Sequence, residues 1–395
     1  MLSAKKIRLK PTLEQEILFR KSAGVARWAY NYFLSENDRV WQEYLANGET
    51  GVKSVSEGAV RKYINNVLKK TTHTWLKEVG SNVMKQAVKD ANNAFQSYFK
   101  GIAEKPKYKS KHKNKISFYV NYESLSRKNG GFHGEKIGFV RTSEPLPKLK
   151  KGEKYSNPHI SFDGKHWYLS VGYEISETKC KLTGESIGID LGIKDLAICS
   201  NGKTYKNINK SHEVRRLEKV LKREQRKLSR MLEKNISGYR TVGDKRFPVF
   251  RKPLYECRNF QKQKKVIKLL HGRLANIRNN YLHQTTTEIV KTKPSRIVME
   301  TLNVKGMMKN KHLAKAVQEQ KFYEFKRQIA YKCQKYGIAL VEVPMFYPSS
   351  KTCSCCGCIK KDLKLSDRIY RCNECGFVID RDFNASLNLA NYKSA

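Results

Sequence analysis

The sequence contains no apolar run near the roughly 20 residues that a helix needs to cross a bilayer, which argues against a membrane-spanning protein. Its opening stretch, MLSAKKIRLKPTLEQ, lacks the apolar core of a secretory leader. That predicts a cytoplasmic protein, in a compartment where thiols stay reduced. Its nine histidines show no metal-ligand spacing, and neither a Ser-His-Asp nor a Cys-His arrangement is evident. No internal repeat is present. Acidic residues are scarce: 36 Asp plus Glu stand against 79 Lys plus Arg, leaving a formal charge of +43. Such an excess repels itself in a compact fold unless a polyanion neutralises it. Phosphate backbones are the usual polyanion, and binding to them falls steeply with salt. A basic surface kept only for solubility is the bland alternative, but cationic charge of this size promotes non-specific nucleic-acid binding.

Cysteine, by contrast, is concentrated. Six of the ten cysteines (Cys353, Cys355, Cys356, Cys358, Cys372 and Cys375) fall in one short stretch near the C-terminus. Cys353 and Cys356 are spaced C-x2-C, as are Cys372 and Cys375, with 15 residues between the pairs. In a reducing compartment that spacing points to a structural zinc ion rather than disulfides. Gly357 and Gly376 follow the second cysteine of each pair, where a knuckle turn needs an open backbone. Cys355 and Cys358 offer a second C-x2-C frame, which the glycines disfavour. Four thiolates close the coordination sphere, so the site is structural and supplies no chemistry. Lys360, Lys361, Lys364, Arg368 and Arg371 surround it, which makes the ribbon a candidate nucleic-acid contact.

Hydrophobic periodicity divides the rest. Lys6–Lys10 reads as a short strand, and Thr12 with Gln15 has the spacing of a helix-capping box. Helical pattern follows over Leu13–Leu34, Val60–Lys69 and Val83–Phe99. A basic, Pro-punctuated linker then leads to short alternating runs at Ile116–Val120, Lys136–Val140, His159–Phe162 and His166–Tyr173, the signature of an antiparallel β-unit. From Gly184 onward the pattern is mixed α/β. Ser186–Ser200 reads as two strands joined by a tight turn at Gly192, and Arg296–Glu300 and Ile338–Val343 as further strands. Ser211–Lys234, Lys264–Val290 and Asp382–Asn391 read as helices. The first of these has an apolar stripe of Val214, Leu217, Leu221, Leu228 and Met231, interrupted by Glu224. Arg215, Arg216, Lys219, Lys222, Arg223 and Arg226 occupy its other faces, charge nearly all of one sign and therefore a candidate phosphate contact.

Three carboxylates stand out by context: Asp190 in GIDLG, Glu300 at the end of RIVME, and Asp382 in DRDFNAS. Singly, each has an ordinary reading: a strand-end turn, an edge-strand position and a helix cap. Together, two strand-borne carboxylates and one at a helix start can converge on one point of an α/β sheet. Oxygen ligands of that kind suit Mg²⁺ or Mn²⁺, and a pair of ions about 3.5–4 Å apart serves phosphodiester cleavage. Asp195, in the same run as Asp190, reads as a surface turn residue.

The ordered motifs GIDLGIKDLA, METLNVKGM, YPSSKTCSCCG with YRCNECG, and DRDFNASLNLA resemble the RuvC-type nuclease of the transposon-encoded TnpB family, which is similar to the compact effectors of type V CRISPR systems. The resemblance spans about residues 184–395 and extends more loosely to the opening RLKPTLEQEILFRKSAGVARWAYNYFL. It implies an α/β nuclease domain of RNase H-like (RuvC) fold over 184–345 and 377–395, interrupted by a zinc ribbon at 346–376. It also implies a wedge-like β-domain (1–12 and 101–183) carrying a helical recognition insertion (13–100). The implied activity is RNA-guided cleavage of DNA beside a short flanking motif. The partners are a guide RNA and target double-stranded DNA, with no membrane and a monomer as the expected state. By motif, Asp190, Glu300 and Asp382 hold two Mg²⁺ (or Mn²⁺) ions, and Cys353, Cys356, Cys372 and Cys375 one Zn²⁺. DRD also offers Asp380; Asp382 is preferred because it precedes the F-N-A segment. Arg27 and Trp28, in an aromatic-basic mixture with Tyr30 and Tyr32, are candidates for target-duplex contact. A guided DNA-binding protein without cleavage, a strand-joining transposase and a structural RNA-binding protein with a zinc ribbon are the competing readings.

Overall fold

The computed structural model describes residues 2–111, 114–175, 180–364 and 366–393. The chain forms two compact units, Met1–Ile175 and Ser176–Ala395. In the first, β1 (Leu2–Lys10) alternates faces, burying Ile7 and Leu9 and leaving Lys6, Arg8 and Lys10 exposed. Thr12 then starts α1 (Leu13–Ala46): the Gln15 N–H donates to the Thr12 hydroxyl at 3.3 Å, and the Thr12 N–H donates to the Gln15 side chain at 3.1 Å. Two backbone donors that a helix leaves orphaned are thereby satisfied. Next come α2 (Glu57–Tyr63), which runs into a single π-turn at Ile64–Leu68, and α3 (Ser81–Phe99).

Six strands complete this unit: β2 (Ile116–Tyr119), β3 (Ser126–Lys128), β4 (Gly131–Gly134), β5 (Gly138–Thr142), β6 (Ser156–Phe162) and β7 (Trp167–Glu174). The sheet order is β2-β6-β7-β1-β5-β4-β3. β1 lies mid-sheet between β7 and β5, so α1–α3 are an insertion within a β-domain. One core serves both, with Phe19 of α1 edge-on to Trp167 of β7 at 5.1 Å between ring centroids. The strand expected at Lys136–Val140 lies instead at Gly138–Thr142. Lys136 and Gly138, at φ of 56° and 71°, turn the chain between β4 and β5. β3 has no counterpart in the sequence pattern because all three of its residues are exposed, which leaves no apolar alternation to read.

The second unit holds β8 (Ser186–Leu191), β9 (Asp195–Cys199), β10 (Thr204–Lys206), α4 (His212–Lys234), β11 (Ile236–Val242), β12 (Lys245–Phe250) and α5 (Arg258–Lys291). After these come β13 (Arg296–Glu300), α6 (Val304–Lys309), α7 (Ala314–Gln320), α8 (Phe322–Tyr336), β14 (Ala339–Val343), β15 (Ile369–Arg371), β16 (Val378–Asp380) and α9 (Arg381–Ala390). The main sheet is ordered β10-β9-β8-β13-β14, with β8, β13 and β14 parallel and β9 and β10 antiparallel. Ile187, Ile189, Ile297 and Met299 share a core with Leu282 and Ile289 of α5 and Phe325 and Ile329 of α8. The alternate positions, Gly188 and Val298, turn to the opposite face, where α9 lies: Val298 packs with Leu389. Gly188 is what lets α9 seat. A Cβ there would stand 2.0 Å from the Ser386 carbonyl oxygen and 2.4 Å from the Ala390 nitrogen.

Asp195 corrects the expectation of a surface turn: it opens β9, half-buried, and lines a cavity. Glu224 does not break the α4 stripe idly either. The side chain of Gln263 on α5 donates to its carboxylate at 2.9 Å and to its backbone oxygen at 3.0 Å. Among the described residues, no helix is long and apolar enough to cross a membrane.

Candidate carboxylate centre and cysteine cluster

Strand alternation carries the site. β8 and β13 run in parallel register, with Met299 beside Ile189. The next position on each strand is Glu300 and Asp190, so both carboxylates follow the period of two onto the α9 face. Asp382 stands in the first turn of α9. All three line one cavity of about 370 Å³, together with Lys194, Asp195, Ser349, Ser350, Arg368 and Arg381. The three acids are separated in sequence by more than a hundred residues and then by eighty, and the fold brings them together.

The electrostatics show how much like charge that gathering crowds together. Burial raises the Asp190 carboxyl well above the usual carboxylate range. A hydrogen bond with Glu300 and the charges of Glu300 and Asp382 push it the same way, against Arg381. Like charges sharing an enclosed site cannot all ionise cheaply. Two guanidiniums offset part of this: Arg381 donates to one Asp382 oxygen at 2.9 Å, and Arg368 stands 3.7 Å from the other. An all-oxygen set of three carboxylates crowded into one cavity fits a hard divalent cation.

DRD offers Asp380 beside the preferred Asp382, and the two side chains have different surroundings. Asp380 is exposed and caps α9, accepting from the Asp382 and Phe383 N–H groups at 3.0 Å each. It does not line the carboxylate cavity. Two buried residues of the same motif escape a reading of the sequence alone. Asn384 donates to the Thr352 carbonyl at 2.7 Å and accepts from the Ser354 N–H at 3.0 Å. Asn388 donates to the Ser349 and Thr352 carbonyls, both at 2.7 Å. Two asparagines four apart in one helix are the available signal. They tie α9 to the segment that opens the cysteine cluster.

That cluster is compact. The Sγ atoms of Cys353, Cys356, Cys372 and Cys375 all lie within 4.8 Å of one another. Cys353 is 3.7 Å from Cys375, and Cys356 is 3.5 Å from Cys372. A tetrahedral zinc with bonds near 2.3 Å sets its sulfurs about 3.8 Å apart, so the donor set fits that ion. Cys355 and Cys358 are exposed and outside the group. Gly357 and Gly376 adopt φ of 81° and 68°, the left-handed turn each knuckle requires.

The remaining candidates lie elsewhere. Arg215, Arg216, Lys219, Lys222, Arg223 and Arg226 are all exposed along α4. Among the described residues only Arg223 of these makes an ion pair, with its neighbour Glu224. Trp28 is half-buried in an aromatic cluster, stacked on Tyr32 at 5.2 Å and edge-on to Trp75 at 5.4 Å. Arg27 lines a separate cavity with Asp90, Lys109 and His159. Both residues belong to the first unit.

Comparison with known proteins adds three family models. One described as "Probable transposase" matches residues 170–311, "Cas12f1-like, TNB domain" matches 322–389, and "Helix-turn-helix domain" matches 1–45. The last span here is one strand and one continuous helix. A protein of Streptomyces pristinaespiralis called "Putative RNA-guided DNA endonuclease" is 30% identical, over 97% of this chain and 87% of that protein. A relative from Escherichia coli (strain K12), of the same description and named InsQ, is 28% identical over 98% of this chain and 91% of its own. Among solved structures, the protein chain of a "Cas12f1-sgRNA-target DNA complex" superposes with a TM-score of 0.57 at 13% identity, covering 99% of each chain. That likeness is one of fold.

Proposed function

The chain belongs to the TnpB family, and on that premise we propose that it is a transposon-encoded, RNA-guided DNA endonuclease that cuts target DNA beside a short flanking motif. The observation that carries the chemistry is the convergence of Asp190, Glu300 and Asp382 in one cavity. These three residues are the catalytic set and hold two Mg²⁺ or Mn²⁺ ions. When bound, such ions activate the attacking water and stabilise the leaving oxygen of a phosphodiester.

The protein's own contribution is position and field. β8 and β13 fix two carboxylates from a packed sheet, and Gly188 lets α9 bring the third against them. Arg381 holds the Asp382 carboxylate in place, and with Arg368 adds positive charge where a phosphate would enter. Cys353, Cys356, Cys372 and Cys375 hold one zinc ion that fixes the ribbon. The domain bounds follow the resemblance: 184–345 and 377–395 as nuclease, 346–376 as ribbon, 13–100 as the helical insertion in a β-domain of 1–12 and 101–183. The α4 cations contact phosphate, and Arg27 and Trp28 lie toward the target duplex. Base pairing between guide and target supplies sequence specificity, as in other guided nucleases.

The test is reprogramming. The chain is co-expressed with a transcript of its element's end, and the RNA that co-purifies is sequenced. Exchanging the guide portion should redirect Mg²⁺-dependent cutting to DNA matching the new guide. Cutting that ignores the guide overturns the reading, and strand-transfer products formed without RNA would mark a transposase instead.

A further inference from the structure

Between α4 and α5 the chain makes an excursion that the carboxylate and cysteine sites leave unused. Among the described residues, β11 and β12 pair only with each other. The connection is two residues, Gly243-Asp244, with Gly243 at φ 56°, which suits a tight hairpin turn. Asn235 closes the root: its backbone oxygen accepts from the Arg251 N–H at 2.8 Å, and its side chain bonds both the N–H and the carbonyl of Lys252. A lone two-stranded ribbon is marginal in water. This one is solvent-exposed on both faces over nearly its whole length.

Its composition is not that of a solvated ribbon. Residues 236–252 carry five cations (Arg240, Lys245, Arg246, Arg251 and Lys252) against one carboxylate, Asp244. Among the described residues, none of the five makes an ion pair, and Lys234 and the α4 arginines lead directly into the root. Yet Tyr239, Val242, Phe247 and Val249 are 53%, 60%, 42% and 42% exposed. Exposed apolar groups gathered on an unpacked element mark an interaction site. The register sorts them. Arg240 faces Phe247 across the strands, so these two share one side of the ribbon. On the other side Arg246 lies over the Tyr239 ring at 4.5 Å. Each face thus presents an aromatic ring with an arginine.

From this arrangement we infer that the β11–β12 ribbon is a docking element for unpaired bases of the bound RNA. The inference rests on the guided-nuclease reading. The cations satisfy phosphates, and the ring–guanidinium pairs offer planar surfaces on which splayed bases stack. An intact duplex has its bases already stacked and gives those rings no partner. Loops and bulges of a structured RNA do.

The full chain is tested by fluorescence anisotropy at fixed salt against three probes. They are an RNA stem-loop with an unpaired loop, a blunt RNA duplex of the same stem, and single-stranded DNA of the loop sequence. Y239A/F247A alters only exposed side chains and should melt with the wild type. It should weaken stem-loop binding about tenfold or more and leave the blunt duplex within about twofold. R240K/R246K keeps the charge but loses the planar groups, and should show the same selective loss in smaller degree. Unchanged stem-loop affinity, or equal loss on every probe, overturns the inference. So does a loss confined to the DNA strand, which would assign the ribbon to displaced DNA. The premise is tested separately by RNA co-purifying with the wild type. Its absence removes the guided reading, whereas RNA held equally well by Y239A/F247A removes only the ribbon's role.

Discussion

Asp380 caps the helix on which Asp382 stands: two residues apart in DRD, the first accepts from the backbone N–H of the second at 3.0 Å. One carboxylate serves the helix, and the other reaches the cavity with Asp190 and Glu300. Asp380→Ala should therefore cost about 1 kcal/mol of stability, the worth of a helix cap, and leave substantial cleavage. Asp382→Ala should retain the melting temperature, because it relieves like-charge crowding, and should lose cleavage by several orders of magnitude. Thermal melts and cleavage assays on the pair check this.

Gly188→Ala tests whether sheet and helix must touch. An added Cβ meets the Ser386 carbonyl at 2.0 Å, and backbone cannot yield as a side-chain tip can. We expect a destabilisation of about 1–3 kcal/mol, in the range for overpacking. Guided cleavage should fall more than guide binding, since α9 carries Asp382 away from β8. Denaturant melts alongside cleavage rates give both numbers.

The zinc prediction follows from Asn384 and Asn388, whose side chains join α9 to residues 349–354. Elemental analysis should find one zinc per chain. Cys372→Ser should lose it and impair cleavage through α9, although none of the described cysteines lines the carboxylate cavity. Cys355→Ser and Cys358→Ser should retain both metal and activity.

How much of this is legible in the sequence depends on which residues carry the signal. Alternation marks β8 and β13, because Ile187, Ile189, Ile297 and Met299 bury one face. The same period sets Asp190 and Glu300 on the opposite face, in step with Gly188 and Val298. Thr12 and Gln15 announce α1, and the cysteine spacing announces the ribbon. Exposed elements give no such signal. β3 and the β11–β12 ribbon bury almost nothing, so no apolar period distinguishes them from loop. α8 escapes for a different reason: its buried face includes Gln328 and Lys332. The Lys332 ammonium is satisfied by hydroxyls, donating to Thr286 at 2.6 Å and Thr287 at 2.8 Å on α5. Burial holds its pKa down to about 8. Side-by-side placement of Asp190 and Glu300 needs the parallel register, which no local pattern contains.

The charge on α4 makes a quantitative claim about salt. Removing one cation from a phosphate should flatten the slope of log affinity against log salt by about one. Arg215→Ala/Lys219→Ala/Arg226→Ala should weaken nucleic-acid binding and reduce that slope by up to about three, leaving zinc content and melting temperature unchanged. A full slope in this variant would place these cations off the nucleic acid.

The central claim is that Asp190, Glu300 and Asp382 form one metal-dependent cutting site, and single-residue cleavage with a bound guide tests it most directly. Wild type and Asp190→Ala, each loaded with the same RNA, are compared for binding and for Mg²⁺-dependent cutting of matched double-stranded DNA. The account predicts equal guided binding, cleavage by the wild type that chelation abolishes, and no cleavage by Asp190→Ala. Equal cutting by the two proteins would contradict it.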